Sequence, residues 1–207
     1  MTRVELTIDG KTAAADAGTS VLTAALANDV YIPHLCHHPE LPGQGTCRLC
    51  MVEIEGRGMV TACRMEAEPG MKVTTKSPEI DRAVRPVAEL LVANHHINCR
   101  GCPSNGKCQL QTVMSRLRID RRRVRRLRLP ASERPLDKSS PCFDYDADKC
   151  ILCGICVETC RALHEDSLLR LMNRGSETVV AFFGDGSKCQ SCLECVRRCP
   201  VGVLLPK

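Results

Sequence analysis

The chain has 207 residues, enough for one to two domains, and carries 16 cysteines against three Phe, two Tyr and no Trp. Aromatic rings usually dominate core burial, so another source of cohesion is needed, and cysteine is the abundant candidate. The net charge of +5 belongs to one segment, Arg116 to Arg128, which holds eight arginines and one aspartate and leaves the remainder slightly acidic. No stretch approaches the roughly 18 consecutive apolar residues of a membrane-spanning helix. The start, Met1 to Gly10, reads as a strand rather than a secretory signal. The expectation is a cytoplasmic protein without direct membrane insertion, in which dense cysteine means metal ligands or redox work rather than disulfides.

In chain order, Val4, Leu6 and Ile8 alternate as in a strand, and the Asp9-Gly10 turn leads to a second one near Thr12 to Ala15. Thr19 or Ser20 can cap a helix carrying Val21, Leu22, Ala25 and Leu26. A loop rich in Pro, Gly and Cys follows, then short strands near Met51 to Ile54, Met59 to Ala62 and Met71 to Thr74. Residues 1–76 thus form a compact α+β unit. Ser77-Pro78 starts a helix that Pro86 should kink, and a loop with Cys99 and Cys102 leads to a second amphipathic stretch, Leu110, Val113, Met114 and Leu117. This makes a helical module over 77–118. Pro130, Pro135 and Pro141 punctuate a polar segment poorly suited to regular structure, read as a basic linker or arm over 119–140. From 141 to 207 there is an internal repeat, since Cys150, Cys153, Cys156 and Cys160 recur 39 residues later as Cys189, Cys192, Cys195 and Cys199.

Each copy of that repeat reads C-x2-C-x2-C-x3-C, and Pro200 follows Cys199. This is the bacterial ferredoxin spacing, in which three cysteines hold one [4Fe-4S] cubane and the fourth serves the other. It assigns Cys150, Cys153, Cys156 and Cys199 to one cluster and Cys189, Cys192, Cys195 and Cys160 to its neighbour. Small loop residues such as Gly154 and Ser191 let backbone amides approach the sulfurs. Zinc sites usually pair two separated knuckles instead. Arg161 stands where the first copy lacks the expected proline, a change in a turn rather than in a ligand.

The N-terminal set, Cys36-x10-Cys47-x2-Cys50-x12-Cys63, suits a [2Fe-2S] cluster, although its spacing differs from the plant type and leaves zinc a serious rival. Gly43, Gly45, Arg48 and the strand that follows favour iron. His34, His37 and His38 read as surface or loop residues, not ligands. In the middle, His95-x3-Cys99-x2-Cys102-x5-Cys108 can complete four ligands, with His96 equally available by proximity. An imidazole in place of a thiolate removes negative charge and raises the reduction potential, as in Rieske centres.

Together, and in this order, the three constellations resemble the N-terminal iron-sulfur region of the large electron-transfer subunit of respiratory complex I. That region is shared with the diaphorase iron-sulfur subunit of NAD-reducing hydrogenases and with the N-terminal parts of iron-only hydrogenases and NAD-dependent formate dehydrogenases. The resemblance implies an α+β chain: an N-terminal β-grasp, ferredoxin-like [2Fe-2S] domain holding its cluster on Cys36, Cys47, Cys50 and Cys63, then a small helical module whose [4Fe-4S] site uses His95, Cys99, Cys102 and Cys108, then a bacterial-type two-[4Fe-4S] ferredoxin domain. The cofactors it implies are one [2Fe-2S] and three [4Fe-4S] clusters.

Cys142 is left over and reads as a small hydrophobe in a packed turn. The arginine run raises the question of nucleic acid. It lacks aromatics for base stacking, so the preferred reading is a helix or arm whose arginines pair with an acidic partner surface or with the surroundings of anionic clusters, with no nucleic acid. Neither G-x-G-x-x-G after a strand nor a P-loop is present, and only four residues follow Val203. No flavin or NAD is therefore expected on this chain, nor a terminal catalytic domain. The function expected is electron relay in a cytoplasmic multi-subunit NAD(P)-linked oxidoreductase, most readily of hydrogenase/diaphorase type. Its partners would be a flavin/NAD-binding iron-sulfur subunit and a catalytic subunit (a hydrogenase, formate dehydrogenase or similar). The alternatives are a free-standing polyferredoxin shuttle and a zinc-stabilised nucleic-acid-binding module.

Overall fold

The computed structural model describes residues 3–128, 134–165 and 167–207. The chain divides into two compact units, Met1–Ala88 and Glu89–Lys207.

In the first unit, β1 (Arg3–Ile8) and β2 (Lys11–Asp16) form an antiparallel hairpin. Its turn residues Asp9 and Gly10 both take positive φ (49° and 80°), as a two-residue turn matched to strand twist requires. Helix α1 (Val21–Ala27) is capped by Ser20, whose hydroxyl accepts from the Thr23 amide; Thr19 instead bonds back to the Asp16 carbonyl. Strands β3 (Met51–Ile54), β4 (Gly58–Thr61) and β5 (Lys72–Thr74) complete one sheet in the order β2-β1-β5-β3-β4, with β5 parallel to β1 and antiparallel to β3. Leu6, Ile8, Val21, Leu22, Val52 and Ile54 fill the core, and Cys50 and Cys63 belong to the same cluster. Aliphatic side chains carry this core, because Tyr31 is the one aromatic residue before position 143.

Helix α2 (Pro78–Ala93) starts as expected, with the Ser77 hydroxyl accepting from the Ile80 amide, and it continues through Pro86. In the second unit, α3 (Gln109–Arg116) buries Leu110 and Val113. Part of the arginine run, read as a helix or arm, forms a helix, α4 (Arg121–Leu127), capped by Asp120. One apolar contact and one ion pair hold it. Val124 is buried, and Arg123 Nε donates to Glu89 Oε2 at 2.7 Å, neutralising a carboxylate that is only 3% exposed. Residues 129–133, Pro130 among them, lie outside the described residues.

The C-terminal half pairs β6 (Phe143–Tyr145) with β9 (Leu204–Pro206) and β7 (Leu169–Met172) with β8 (Val179–Phe182). Helices α5 (Ile155–Leu163) and α6 (Glu194–Arg197) complete it. Phe143 and Phe182 meet edge to face, their centroids 6.0 Å apart. The internal repeat is visible in the backbone. Gly154 and Leu193, 39 residues apart, occupy the same N-cap position of α5 and α6, with φ of 79° and 50°. For Leu193 a left-handed conformation costs about 1–2 kcal/mol. Among the described residues no helix is long and apolar enough to cross a membrane.

Candidate metal centres

Cys36 lies in the long loop after α1, Cys47 and Cys50 end that loop just before β3, and Cys63 follows β4. All four are buried. The Cys36 and Cys47 sulfurs are 3.4 Å apart, and the Cys47 amide donates to Cys36 Sγ at 3.4 Å. The charges of Cys50 and Cys36 also act on the Cys63 thiol. Donors among these thiols hold Cys36 and Cys50 below the ordinary thiol range, and the same contacts with burial push Cys47 and Cys63 above it. Four thiolates in this space would repel one another unless cations held them, so the donor set fits an iron cluster. Room is made by Gly43, which packs against the Cys63 carbonyl where a Cβ would collide with it. Arg48, between the two central cysteines, takes φ 53°. His37 departs from the surface reading. It is 8% exposed, and neither ring nitrogen has a hydrogen-bond partner among the described residues. Burial, followed by the charge of His34, holds its pKa below the ordinary imidazole range.

The second set surrounds one cavity in the second unit, lined by His95, Cys99, Cys102 and Cys108. Cys99 begins a 3-10 turn and Cys108 is the N-cap of α3. The two histidines separate clearly. His96 is exposed, with its amide bonded to the Asp148 carbonyl at 2.8 Å, whereas His95 is buried. His95 Nδ1 lies 2.8 Å from the Lys149 carbonyl oxygen. A carbonyl only accepts, so Nδ1 carries the proton and Nε2 keeps its lone pair, the arrangement usual for a metal-binding imidazole. Arg128 Nη2 donates to the His95 carbonyl at 2.8 Å, and Arg100, Arg118, Arg121 and Lys149 line the same cavity. Part of the arginine run therefore faces this site, as suits an anionic cluster.

The ferredoxin repeat yields two crossed sets. Cys160 lines a cavity with Cys189, Cys192 and Cys195, walled by Phe143, Leu163, Leu169 and Leu193. Cys156 is pushed well above the ordinary thiol range by burial and then by the negative charge of Cys153, Cys150, Cys199 and, least, Cys195; Cys199 acts on Cys150 as well, which sets it beside the first triplet. Burial and like charge also raise Cys189 to about 11 and Cys195 to about 12, Cys160 acting on both. Helix α5 spans the two sets, with Cys156 and Cys160 one turn apart, about 6 Å along its axis. Backbone amides reach three of these sulfurs: Leu152 to Cys150 at 3.4 Å, Leu168 to Cys160 at 3.3 Å and Val203 to Cys199 at 3.5 Å. Thr159, 1% exposed, lines the Cys160 cavity, and its hydroxyl has no hydrogen-bond partner among the described residues. A buried donor without an acceptor requires an explanation, and a sulfide-rich cluster supplies one. Cys142 sits beside Cys189, with its sulfur 3.8 Å from the Gly186 carbonyl. Among the described residues no group of three or more His, Cys, Asp or Glu side chains is arranged to hold a single metal ion.

Residues that motif reading passed over also belong to these sites. Arg64 Nη1 donates to the Gly43 carbonyl at 2.9 Å, Arg128 to that of His95, and Arg197 to that of Cys192. A guanidinium thus grips the backbone of three of the four sites. The buried Tyr145 hydroxyl accepts the Val180 amide at 3.3 Å, and burial followed by the charge of Cys150 holds the phenol above its ordinary range.

Comparison with known proteins agrees with this layout. Residues 1–78 match the family model for a 2Fe-2S iron-sulfur cluster binding domain, 85–123 the NADH-ubiquinone oxidoreductase-G iron-sulfur binding region, and 149–203 a 4Fe-4S dicluster domain. The NADPH-Fe(3+) oxidoreductase subunit alpha of Geobacter sulfurreducens is 34% identical over 99% of this chain, which spans only 24% of that protein's length. The gamma subunit of the NAD-reducing hydrogenase HoxS of Cupriavidus necator is 32% identical over 99% of this chain and 87% of its own. A crystal structure of an NAD+-reducing [NiFe]-hydrogenase in the H2-reduced state contains a chain that superposes with a TM-score of 0.85 at 33% identity, covering 99% of this chain and 87% of that one. With its 2Fe-2S and 4Fe-4S domains in the same order, this chain belongs to the family of the gamma subunit of NAD-reducing hydrogenase.

Proposed function

We propose that this chain is the electron-relay subunit of a multi-subunit NAD(P)-linked oxidoreductase of hydrogenase/diaphorase type. In this reading one [2Fe-2S] cluster is held by Cys36, Cys47, Cys50 and Cys63. Three [4Fe-4S] clusters are held by His95 with Cys99, Cys102 and Cys108; by Cys150, Cys153, Cys156 and Cys199; and by Cys160, Cys189, Cys192 and Cys195. The corresponding modules are 1–76, 77–118 and 141–207, with 119–140 as the basic connection. When bound, the clusters supply one-electron redox chemistry. The protein's own residues hold them, keep water away and bias their charge. The observation that carries the reading is the crossed thiol arrangement: Cys160 shares a cavity with the second triplet while Cys199 acts on the first. A single turn of α5 thereby ties two cubanes together. Hydride chemistry requires a flavin/NAD-binding subunit on one side and a catalytic subunit on the other. The exposed Arg122, Arg125 and Arg126 of α4 offer a basic face to an acidic partner surface, a contact that steers association and weakens with salt.

Anaerobically purified protein is expected to contain iron and acid-labile sulfide in near-equal amounts, about 14 iron atoms per chain, and to co-purify with flavoprotein and catalytic subunits. A colourless chain holding a few zinc ions would refute the reading. At the imidazole site, His95→Cys is expected to lower the midpoint potential of one [4Fe-4S] centre, because a fourth thiolate adds negative charge, whereas His96→Ala leaves it in place. Redox titration followed by electron paramagnetic resonance measures both, and equal effects of the two variants would remove His95 from the ligand set.

A further inference from the structure

A threonine hydroxyl inside a helix ordinarily satisfies itself by donating to the carbonyl three or four residues back. Thr112 does so in α3, its Oγ1 lying 3.5 Å from the Cys108 carbonyl oxygen. Thr159 of α5 does not. It is 1% exposed, and its Oγ1 has no hydrogen-bond partner among the described residues, neither the Ile155 carbonyl nor that of Cys156. Thr159 lines the cavity of Cys160, Cys189, Cys192 and Cys195, whose other lining residues are apolar apart from His164. No described protein atom accepts from the hydroxyl, the thiol sulfurs and the His164 ring included. Buried donors are rarely left unmade, so the acceptor is what the four thiols hold. The residue 39 positions later, before Cys199, is Arg198, whose Nε donates to Glu194 Oε2 at 3.1 Å. The hydroxyl is therefore a feature of one copy of the motif and not of the other.

Resting on the cluster reading proposed above, we infer that the Thr159 hydroxyl donates to a sulfide of the cluster held by Cys160, Cys189, Cys192 and Cys195. In doing so it raises the reduction potential of that cluster and acts as a potential-setting residue. Reduction adds negative charge to the cluster, and a hydrogen bond to a more negative acceptor is stronger. The donor therefore stabilises the reduced form more than the oxidised one, and the midpoint rises, hydrogen bonds to the sulfurs being among the factors that set such potentials. The apolar walls strengthen the effect, because a hydrogen bond in a low local dielectric is electrostatically stronger than one in water. Burial in α5 also keeps the side chain in place in both oxidation states, whereas a donor that must be ordered on each reduction gives back part of its effect in entropy.

The test uses the full chain in its native complex, purified anaerobically and titrated potentiometrically with paramagnetic resonance readout. Thr159→Val keeps the branched shape and removes the hydroxyl. It is expected to move the midpoint of one [4Fe-4S] signal to more negative potential, leaving iron and sulfide content and the other midpoints unchanged. Thr159→Ser retains the donor and is expected to hold that midpoint close to its original value. If valine prevents loading, Thr159→Ala removes the same oxygen from a smaller side chain and is expected to give the same shift. A hydroxyl that only fills space, or that bonds a trapped water, predicts no movement of any midpoint when it is removed. Unchanged midpoints in a fully loaded Thr159→Val or Thr159→Ala protein, or an equal shift in the valine and serine variants, would overturn the assignment. Absence of every [4Fe-4S] signal from the unaltered chain would overturn the cluster reading beneath it, a result that cannot be confused with the first.

Discussion

Gly43→Ala is expected to empty the N-terminal cluster site while the three [4Fe-4S] centres persist. A Cβ at this position would stand 2.2 Å from the Cys63 carbonyl oxygen and 3.1 Å from its carbonyl carbon. The obstacle is backbone rather than the tip of a flexible side chain, so no rotamer change relieves it. The loop is also clamped from the other side, because Arg64 donates to the Gly43 carbonyl at 2.9 Å. The 36–50 loop must then move away from the turn that carries Cys63, and three of the proposed thiolate ligands separate from the fourth. Overpacking of a well-packed site typically costs 1–3 kcal/mol, and a cluster that needs four sulfurs at fixed distances tolerates less displacement than the fold does. Gly56→Ala is the control. It forces a side chain onto φ 78° in open space and should cost about 1–2 kcal/mol with no loss of iron. Iron and sulfide analysis with paramagnetic resonance of the reduced variants decides, and a complete [2Fe-2S] signal in Gly43→Ala would show that the glycine is not required.

Cys199→Ala is expected to remove the cluster of the first cysteine triplet, 43 to 49 residues upstream in the chain, and to spare the triplet it directly follows. Cys199 lies with Cys150 and Cys156, on whose thiols its charge acts. The second triplet retains Cys160 as its fourth donor. Double variants expose the pairing without assigning individual spectra. Cys199→Ala with Cys153→Ala should lose no more iron than either change alone, since both act on one cluster, whereas Cys199→Ala with Cys192→Ala should lose two cubanes' worth. This is non-additivity at a shared site against additivity at separate ones. Some broadening of the surviving signal is expected, because α5 bridges the sites through Cys156 and Cys160. If the first double variant lost twice the iron of its single parents, the sets would not be crossed.

The legible parts of this protein are those whose geometry is set within a few bonds. Three cysteines two residues apart can wrap only a small object, and a fourth displaced by a further helical turn must face elsewhere, so the ferredoxin repeat and its crossing follow from spacing. The β1–β2 hairpin and the Ser20 and Ser77 caps were readable for the same local reason. Helix α4 was legible only as one of two readings, a helix or an arm, because its arginines present no apolar stripe: buried Val124, the Arg123–Glu89 ion pair across 34 positions and the Arg128 bond to the His95 carbonyl are long-range contacts. Strands β6 and β9, three residues each and about 60 apart, are too short to show alternation. His37 looked like one more loop histidine, and burial of its ring depends on packing that no local pattern encodes.

The amino-acid sequence by itself thus determined the three cysteine-rich segments, the spacing of the thiols within each, and the order of the modules, because spacing is a property of the covalent chain. Tertiary structure decided what surrounds those groups: which of two adjacent histidines is buried beside the cysteines with Nε2 left available, where Arg128 and Thr159 stand, and that the hydroxyl of Tyr145 is held by a strand 35 residues away. These depend on contacts between distant segments, such as the Val180 amide on the Tyr145 oxygen and the Lys149 carbonyl on His95. Such contacts form only when the whole chain has packed.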